Sequence, residues 1–152
     1  MKTTCPICGG TAKRVKVPYQ TKYNGEFVTI PAVEMYKCSD CGEEFFNAEQ
    51  SRALSLEVKN TVRQAQGLLS PKRICAIREK LHLTQQELER LLGQGPKVVT
   101  RWESGRVIQN RNADTILRML ERDPSTLDHL RKIEQTRGRE QNKRERELVA
   151  VG

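Results

Sequence analysis

Four of the five cysteines occur in two copies of the motif Cys-x-x-Cys-Gly. The first copy contains Cys5 and Cys8, and the second contains Cys38 and Cys41. A spacer of two residues lets both sulfurs of a motif reach one ion, and the glycine permits a tight turn whose amides face the sulfurs. Four cysteine ligands make a closed site, whose default metal is zinc and whose usual role is to stabilise a fold. The sequence therefore predicts one structural Zn²⁺ per chain.

Two other states of these four cysteines stay open at this stage. A rubredoxin-like iron site uses the same tetrahedral sulfurs, so metal analysis is needed to separate iron from zinc. Two disulfides are disfavoured by the paired spacing and by a reducing compartment.

The fifth cysteine, Cys75, lies beside Ile74 and Ile77 and is predicted to be a small buried thiol. His82 is predicted at a helix end and His129 on the surface, because neither has ligand partners at useful spacing.

Residues 83–105 have the pattern of two short helices joined by a tight turn, in the sequence LTQQELERLLGQGPKVVTRWESG. Thr84 and Glu87 can form a capping box at the start of the first helix. Gly93 ends that helix. Pro96 suits the first turn of the second helix, because a missing N–H is tolerated there. The stretch therefore predicts a helix-turn-helix.

The second of these helices has an apolar side and a cationic side. Val99 and Trp102 lie on the apolar side. Lys97, Thr100 and Arg101 point elsewhere, and such an exposed cationic face is typical of a helix that enters the major groove of DNA. Arg101 is the best candidate to read a base, because its guanidinium can bond guanine O6 and N7 together, and Lys97 can do so less rigidly. The predicted phosphate contacts are Gln85, Thr100, Arg106 and Arg111.

The same stretch resembles the phage-repressor (Xre-type) helix-turn-helix family. The resemblance rests on Thr84-Gln85, on Gly93 at the turn and on Trp102-Glu103-Ser104-Gly105 at the end. It implies a λ-repressor-like DNA-binding domain. It also implies a partly buried ion pair between Arg78 and Glu103 that fixes the helix angles.

Length and composition limit what the rest of the chain can be. A chain of 152 residues with 36% apolar and 30% charged residues fits two modest cores, one of them stabilised by a metal. No apolar run reaches the roughly 18 residues that span a bilayer, and the N-terminus lacks the apolar segment of a signal peptide. The protein is therefore predicted to be cytoplasmic, with no membrane association.

The net charge of +8 is unevenly distributed. Residues 70–133 carry thirteen Lys and Arg against eight Asp and Glu, an excess expected where a polyanion binds. Residues 1–69 carry nine against seven, and four thiolates with one dication make this half close to neutral. The N-terminal half is therefore predicted to contact protein rather than to be the main DNA-binding surface.

The remaining elements follow from periodicity and turn residues. Between the cysteine motifs, alternating apolar residues and Asn24-Gly25 predict a hairpin, and residues 35–37 predict a third short strand. Residues 48–64 have helical periodicity, and Asn47 with Gln50 can cap that helix. The predicted fold of residues 1–66 is therefore a small zinc-bound α+β domain with a three-stranded sheet and a helix.

The predicted fold of residues 67–133 is an all-α, five-helix, λ-repressor-like domain. Ser70 and Pro71 begin its first helix, and Asn112 is predicted to cap its fourth. Residues 134–152 mix charges without apolar periodicity, so the sequence predicts a tail that is disordered or a frayed helix.

The order of the two halves resembles the MqsA family of type II antitoxins, which joins a YgiT-type zinc finger to an Xre domain. The resemblance covers about residues 1–133 and rests on CPICGG, VPYQTKYNGEFV, CSDCGE, the helix-turn-helix stretch and ADTILRMLERDP. It implies a structural zinc and an N-terminal domain that captures a toxin, usually an RNA-cleaving enzyme. It also implies a C-terminal domain that dimerises and represses the antitoxin–toxin operon.

Some points depart from that family or stay open. Gly95-Pro96-Lys97 differs from the family's glycine-rich turn plus Asn, so the operator sequence cannot be carried over. One recognition helix reads a half-site, so a homodimer on a palindromic operator is expected. Other possible functions are a zinc-ribbon regulator or bridging-factor-like coactivator without a toxin, and a rubredoxin-like electron carrier fused to a DNA-binding domain. An enzyme is not expected, because no nucleophile–base arrangement or open metal position is visible.

Overall fold

The structure, a computed structural model, describes residues 2–149. The chain divides into two compact units, Met1–Gly67 (unit 1) and Leu68–Gly152 (unit 2). Unit 1 contains β1 (Lys2–Thr4), β2 (Thr11–Tyr23), β3 (Glu26–Cys38), β4 (Glu44–Phe45) and α1 (Ala48–Ala65). Unit 2 contains α2 (Pro71–Lys80), α3 (Gln85–Leu91), α4 (Val98–Glu103), α5 (Arg111–Arg122) and α6 (Thr126–Val149). The predicted fold class, an α+β domain followed by an all-α five-helix domain, is confirmed.

The sheet of unit 1 has the strand order β1-β2-β3-β4, and all neighbouring strands are antiparallel. The prediction of three strands is wrong: residues 35–37 are the end of β3, and β1 and β4 are additional short strands. Asn24 (φ 49°) and Gly25 (φ 88°) form the turn of the long β2–β3 hairpin, because an Asn-Gly pair tolerates positive φ at both positions. Pro18 lies at a shift in the β2–β3 register, where a missing N–H is tolerated.

Helix α1 covers one part of this sheet. Its buried Val58 packs in a cluster with Ile30 and Val33 of β3. The predicted cap of α1 is confirmed: the Gln50 N–H donates to the Asn47 side chain at 2.8 Å, and the Asn47 N–H donates to the Gln50 side chain at 3.0 Å. This capping box fixes the residue at which α1 begins.

Unit 2 has a separate apolar core. Trp102 of α4 and Leu88 of α3 are buried in it with Ile74 of α2. The predicted capping box of Thr84 and Glu87 is present at α3, and Ser70 caps α2. The fourth helix of this unit is capped by Asn110 rather than by Asn112, because the Asn110 side chain accepts from the Ala113 N–H at 2.8 Å.

A buried polar network joins the beginning of unit 2 to α5. The Asp114 carboxylate accepts from the Leu69 N–H at 2.8 Å, from Gln109 Nε2 at 3.0 Å and from Arg118 Nε at 2.8 Å. Gln109 Nε2 also donates to the Leu69 carbonyl at 2.7 Å. Burial acts to raise the pKa of Asp114, but Arg118, Leu69 and Gln109 outweigh it and hold the pKa below its usual value.

Helix α6 is longer than the sequence predicts. Residues 134–149, for which disorder and a frayed helix were both open, continue α6 as a helix, and the side chains of residues 134–148 are mainly exposed. The last residues of the predicted tail, 150–152, lie outside the described residues. None of the described helices is both long enough and apolar enough to span a membrane.

Replacing Asp114 with alanine should destabilise the protein. The change leaves the buried Leu69 N–H without its acceptor, and one buried unsatisfied group costs about 1–3 kcal/mol. Urea unfolding at neutral pH should show this loss, whereas Asp128→Ala, at an exposed position of α6, should change the free energy of unfolding little. Equal losses for the two variants would contradict the role of the network.

The contribution of Asp114 should also depend on pH. Its folded-state pKa is depressed, so its stabilising effect is present above the unfolded-state value of about 3.9 and is lost as pH falls through the folded-state pKa. The difference in unfolding free energy between wild type and Asp114→Asn, measured in urea from pH 7 to pH 3, should therefore shrink at the acid end. A constant difference over this range would be inconsistent with the depressed pKa.

Candidate metal centre and helix-turn-helix surface

The four motif cysteines converge on one point in unit 1. All four Sγ atoms lie within 4.8 Å of one another, and the pairs Cys5–Cys41 and Cys8–Cys38 are 3.7 and 3.6 Å apart. A tetrahedral ion with metal–sulfur bonds of about 2.3 Å needs sulfurs about 3.8 Å apart. A disulfide would need about 2.05 Å. The residues therefore fit one tetrahedral metal ion.

Backbone turns hold the sulfurs in place. Gly9 (φ 74°) closes the first motif, where its N–H donates to the Cys5 carbonyl at 3.0 Å. The N–H groups of Gly10 and Asp40 lie 3.4 Å from the sulfurs of Cys8 and Cys38. These amides are oriented toward the negative charge that a thiolate ligand carries.

The two cysteines of the second motif differ in how their surroundings affect the thiolate. At Cys41, the Glu43 amide lowers the pKa, but the Cys8 sulfur and burial outweigh it and raise the pKa to about 12. Backbone amides of Cys41 and Asp40 lower the pKa of Cys38 to about 7. Because the thiolate is the metal-binding form of cysteine, these amides reduce the cost of deprotonation on binding.

Asp40 connects the two motifs. Its Oδ2 accepts from the Thr11 N–H at 3.2 Å, and it approaches Gly10 so closely that a Cβ at that position would overlap the carboxylate. The motifs are 29 residues apart in sequence, so this contact and the β2–β3 pairing bring them together. Asp40 was not predicted to contribute to the site, because its partner becomes a neighbour only through the fold.

The remaining cysteine and the histidines lie outside this cluster. Cys75 is half-buried rather than buried, so the predicted burial is wrong; its Sγ lies 3.4 Å from Glu79 Oε1 and 3.5 Å from Arg78 Nη2. His82 (φ 55°) follows the end of α2, as predicted, and His129 is exposed on α6.

In unit 2, α3 and α4 form the predicted helix-turn-helix. Helix α4 begins at Val98 rather than at Pro96. Lys97 precedes it in the left-handed conformation (φ 62°), with no side-chain cap of its own. Instead, the buried Glu89 of α3 accepts from the Val99 N–H at 3.1 Å. Glu89 thus caps α4 from the neighbouring helix, a role that no local pattern in the sequence indicated.

The ion pair between Arg78 and Glu103 is present and is nearly buried. Arg78 donates to the two carboxylate oxygens of Glu103 at 2.7 and 3.1 Å, and the exposed fractions of the two side chains are 15% and 8%. The Glu103 hydrogen bond raises the pKa of Arg78 against the opposing effect of burial. Arg78 also donates to the Leu83 carbonyl at 3.0 Å. The pair therefore joins α2, the start of the helix-turn-helix and α4.

Two of the predicted phosphate contacts are bonded to each other. Gln85 donates to Glu103 at 2.7 Å, and the Thr100 hydroxyl donates to the Gln85 side-chain oxygen at 2.7 Å. Gln85 thus connects the ion pair to the exposed side of α4. This hydrogen-bond network orders the surface that carries Arg101.

The four other predicted DNA contacts are exposed cations. Lys97, Arg101, Arg106 and Arg111 are all exposed, and no ion pair or side-chain hydrogen bond of theirs is found within residues 2–149. Arg101 lies on α4, Lys97 and Arg106 lie just before and after it, and Arg111 begins α5. Guanidinium and ammonium groups that are not paired within the protein can contact an anionic ligand.

Together, the two units define a two-domain protein that joins a four-cysteine metal-site module to a helix-turn-helix domain. The family model described as "Antitoxin component of bacterial toxin-antitoxin system, MqsA" matches residues 1–131. The chain therefore belongs to the MqsA antitoxin family.

Two curated relatives of the chain are also named as antitoxins. The chain is 28% identical to "Antitoxin MqsA" of Escherichia coli (strain K12) over 131 residues, which are 84% of this chain and 98% of that protein. It is 34% identical to "Antitoxin HigA-2" of Vibrio cholerae serotype O1 over 65 residues, which are 43% of this chain and 62% of that protein.

The cysteine cluster predicts that the loss of one sulfur lowers the metal content of the protein. The purified wild-type chain should contain one metal ion, and Cys38→Ser should contain less and should lose helix and sheet content in unit 1, because such sites couple metal binding to folding. Metal content by mass spectrometry and circular dichroism measure the two effects. Cys75→Ser is the matched control and should keep both at the wild-type level. A wild-type chain without bound metal would contradict the assignment.

Proposed function

We propose that this protein is the antitoxin of a type II toxin–antitoxin system and also the repressor of its own operon. In this proposal, unit 1 binds a structural Zn²⁺ and the cognate toxin, a small ribonuclease. Unit 2 binds a palindromic operator as a homodimer formed through the C-terminal domain. The protein acts in the cytoplasm, where transcription takes place. The observation that carries the proposal is the match of residues 1–131 to the antitoxin family.

Zinc is proposed as the ion because of the ligand set. Four thiolates at tetrahedral spacing are the usual ligands of structural zinc, and the four sulfurs leave no position for a substrate or water. The site would then act on folding alone: it ties the C-terminal end of β3 to the first motif. Zinc also has no redox chemistry, which suits a site that only maintains a binding surface.

The DNA-binding proposal rests on how α4 is presented. Its buried side is fixed by Val99 and Trp102, and its exposed side carries Arg101. In a helix-turn-helix, the second helix enters the major groove and its exposed side chains reach the base edges. Arg101 is proposed to bond a guanine, and Lys97, Arg106 and Arg111 are proposed to contact base edges or phosphates around it.

In this proposal, Gln85 and Thr100 differ in role from the two direct phosphate contacts that the sequence predicts. The Gln85 amide keeps one unused N–H beyond its bond to Glu103, whereas the Thr100 hydroxyl already donates its one proton to Gln85. A phosphate oxygen can therefore accept from the second Gln85 N–H or from the backbone at the start of α3. The hydrogen bond between Thr100 and Gln85 keeps the Gln85 amide oriented before DNA binds. This pre-orientation lowers the entropy lost on binding.

Two arginine variants should separate base reading from phosphate binding. Arg101→Ala should lose about 1–3 kcal/mol of affinity for the operator and should discriminate less against mutated sites. Arg106→Ala should weaken binding to all sequences and should reduce the slope of log K against log salt by about 1. Gel-shift titrations on the DNA upstream of the protein's own gene, at several salt concentrations, measure both effects.

Arg122→Ala is the matched control for this pair, because Arg122 is an exposed arginine at the end of α5, outside the helix-turn-helix. It should bind the operator like the wild type. Wild-type protein that ignores this DNA at modest ionic strength would overturn the repressor role. Unchanged discrimination by Arg101→Ala would remove Arg101 from base reading.

The toxin role has a separate test. The full chain, tagged and purified from its native host, should retain a stoichiometric small basic protein, identified by mass spectrometry as the product of an adjacent gene. Cys38→Ser should lose this partner, because its binding unit is disrupted, whereas Arg101→Ala should retain the partner and lose the operator. Absence of any stoichiometric partner with the wild-type chain would favour a regulator or bridging-factor-like coactivator instead.

A further inference from the structure

Unit 1 contains a groove between α1 and β3 that no step of the proposed metal or DNA chemistry uses. Its volume is about 270 Å³. Buried Ile30 and Val33 of β3 and half-buried Leu54 of α1 form its apolar part. Pockets for drug-sized ligands have volumes of about 300–1,000 Å³, so this groove suits one extended side chain.

The rim of the groove is acidic. Glu34, Glu49 and Glu57 line it, against one cation, Arg14. Arg14 pairs with Glu34 at 2.9 Å. Within residues 2–149, the carboxylates of Glu49 and Glu57 have neither an ion pair nor a hydrogen bond. They are exposed on the same side of α1, two turns apart and about 12 Å along its axis.

A buried amide adds a hydrogen-bond donor. Gln50 also lines the groove and is 8% exposed. Its side-chain oxygen accepts from the Asn47 N–H as part of the α1 cap. Its Nε2 is buried and has no acceptor among the described residues. The groove thus combines an apolar stretch, two carboxylates outside any ion pair, and one donor that lacks an acceptor. Of the two carboxylates, Glu49 is within electrostatic range of Arg14.

We propose that this groove binds an arginine side chain of the toxin; the inference rests on the proposed antitoxin role. The aliphatic part of the arginine lies along Leu54 and Val33, and its guanidinium pairs with Glu57 or Glu49. Arginine fits better than lysine, because its planar fork bonds a carboxylate at two points and is less strongly hydrated. A small movement of the Gln50 side chain would let its buried Nε2 donate to a carbonyl oxygen beside the arginine. Proteins that act on RNA present cations, so the occupant has the charge that the rim requires.

The test measures binding of the purified product of the adjacent toxin gene to the full-length chain by calorimetry. The double variant Glu49→Gln, Glu57→Gln keeps side-chain size and should bind the toxin about tenfold or more weakly. Glu26→Gln, an exposed carboxylate of unit 1 outside this groove, is the matched control and should bind like the wild type. Metal content and operator affinity of all variants should stay at the wild-type values.

A second test fills the groove with a side chain instead of neutralising its carboxylates. Ala53 lies between Glu49 and Glu57 on α1, so Ala53→Arg supplies a guanidinium from the chain itself and should also weaken toxin binding. Ser51→Arg, an exposed position on the opposite side of α1, should leave binding unchanged. Wild-type affinity in both the double glutamine variant and Ala53→Arg would overturn the groove assignment alone. A wild-type chain that does not bind the toxin would overturn the antitoxin role and this inference with it.

Discussion

The helix-turn-helix depends on one carboxylate. Glu103 accepts from Arg78 on α2 and from Gln85 on α3, and it is itself the last residue of α4. Three helices thus meet at a single buried anion. Removing one partner of such a pair leaves an uncompensated charge, which costs more than the pair contributes. The observed helix angles therefore let Arg78 and Glu103 satisfy each other, and a change in those angles would separate the two charges.

Unit 1 is stabilised by interactions of a different kind. Its sheet has two long strands and two very short ones, so the apolar cluster beside the cysteines contains few residues beyond Ala12 and Tyr36. A small core provides little stabilisation, and a tetrahedral ion can replace it by joining the two motifs. The metal site and the α1 cluster lie at different parts of the sheet, and the α1–β3 groove adjoins the α1 cluster, with which it shares Ile30 and Val33. The two units therefore differ in what holds them together.

Features that depend on neighbours in sequence could be predicted, and features that depend on the fold could not. The capping boxes at Asn47 and Thr84 and the Asn24-Gly25 turn involve residues at most three apart, so their patterns are visible in the sequence. The acceptor of the Leu69 N–H is 45 residues away, on Asp114, and the cap of α4 comes from Glu89 on another helix. The sulfur cluster is an intermediate case: its long separation is overcome because two identical motifs indicate a shared ion.

Lys97 keeps a positive charge at a position that glycine would occupy more easily. Its φ of 62° lies in the left-handed region, which costs a residue with a Cβ roughly 1–2 kcal/mol. The strain is held in place by the rigid flanks, Pro96 on one side and the Glu89-capped helix on the other. Replacing Lys97 with glycine would relax the backbone and at the same time remove a positive charge from the start of α4. If α4 binds DNA as proposed, fold stability and DNA affinity therefore favour different residues at this position.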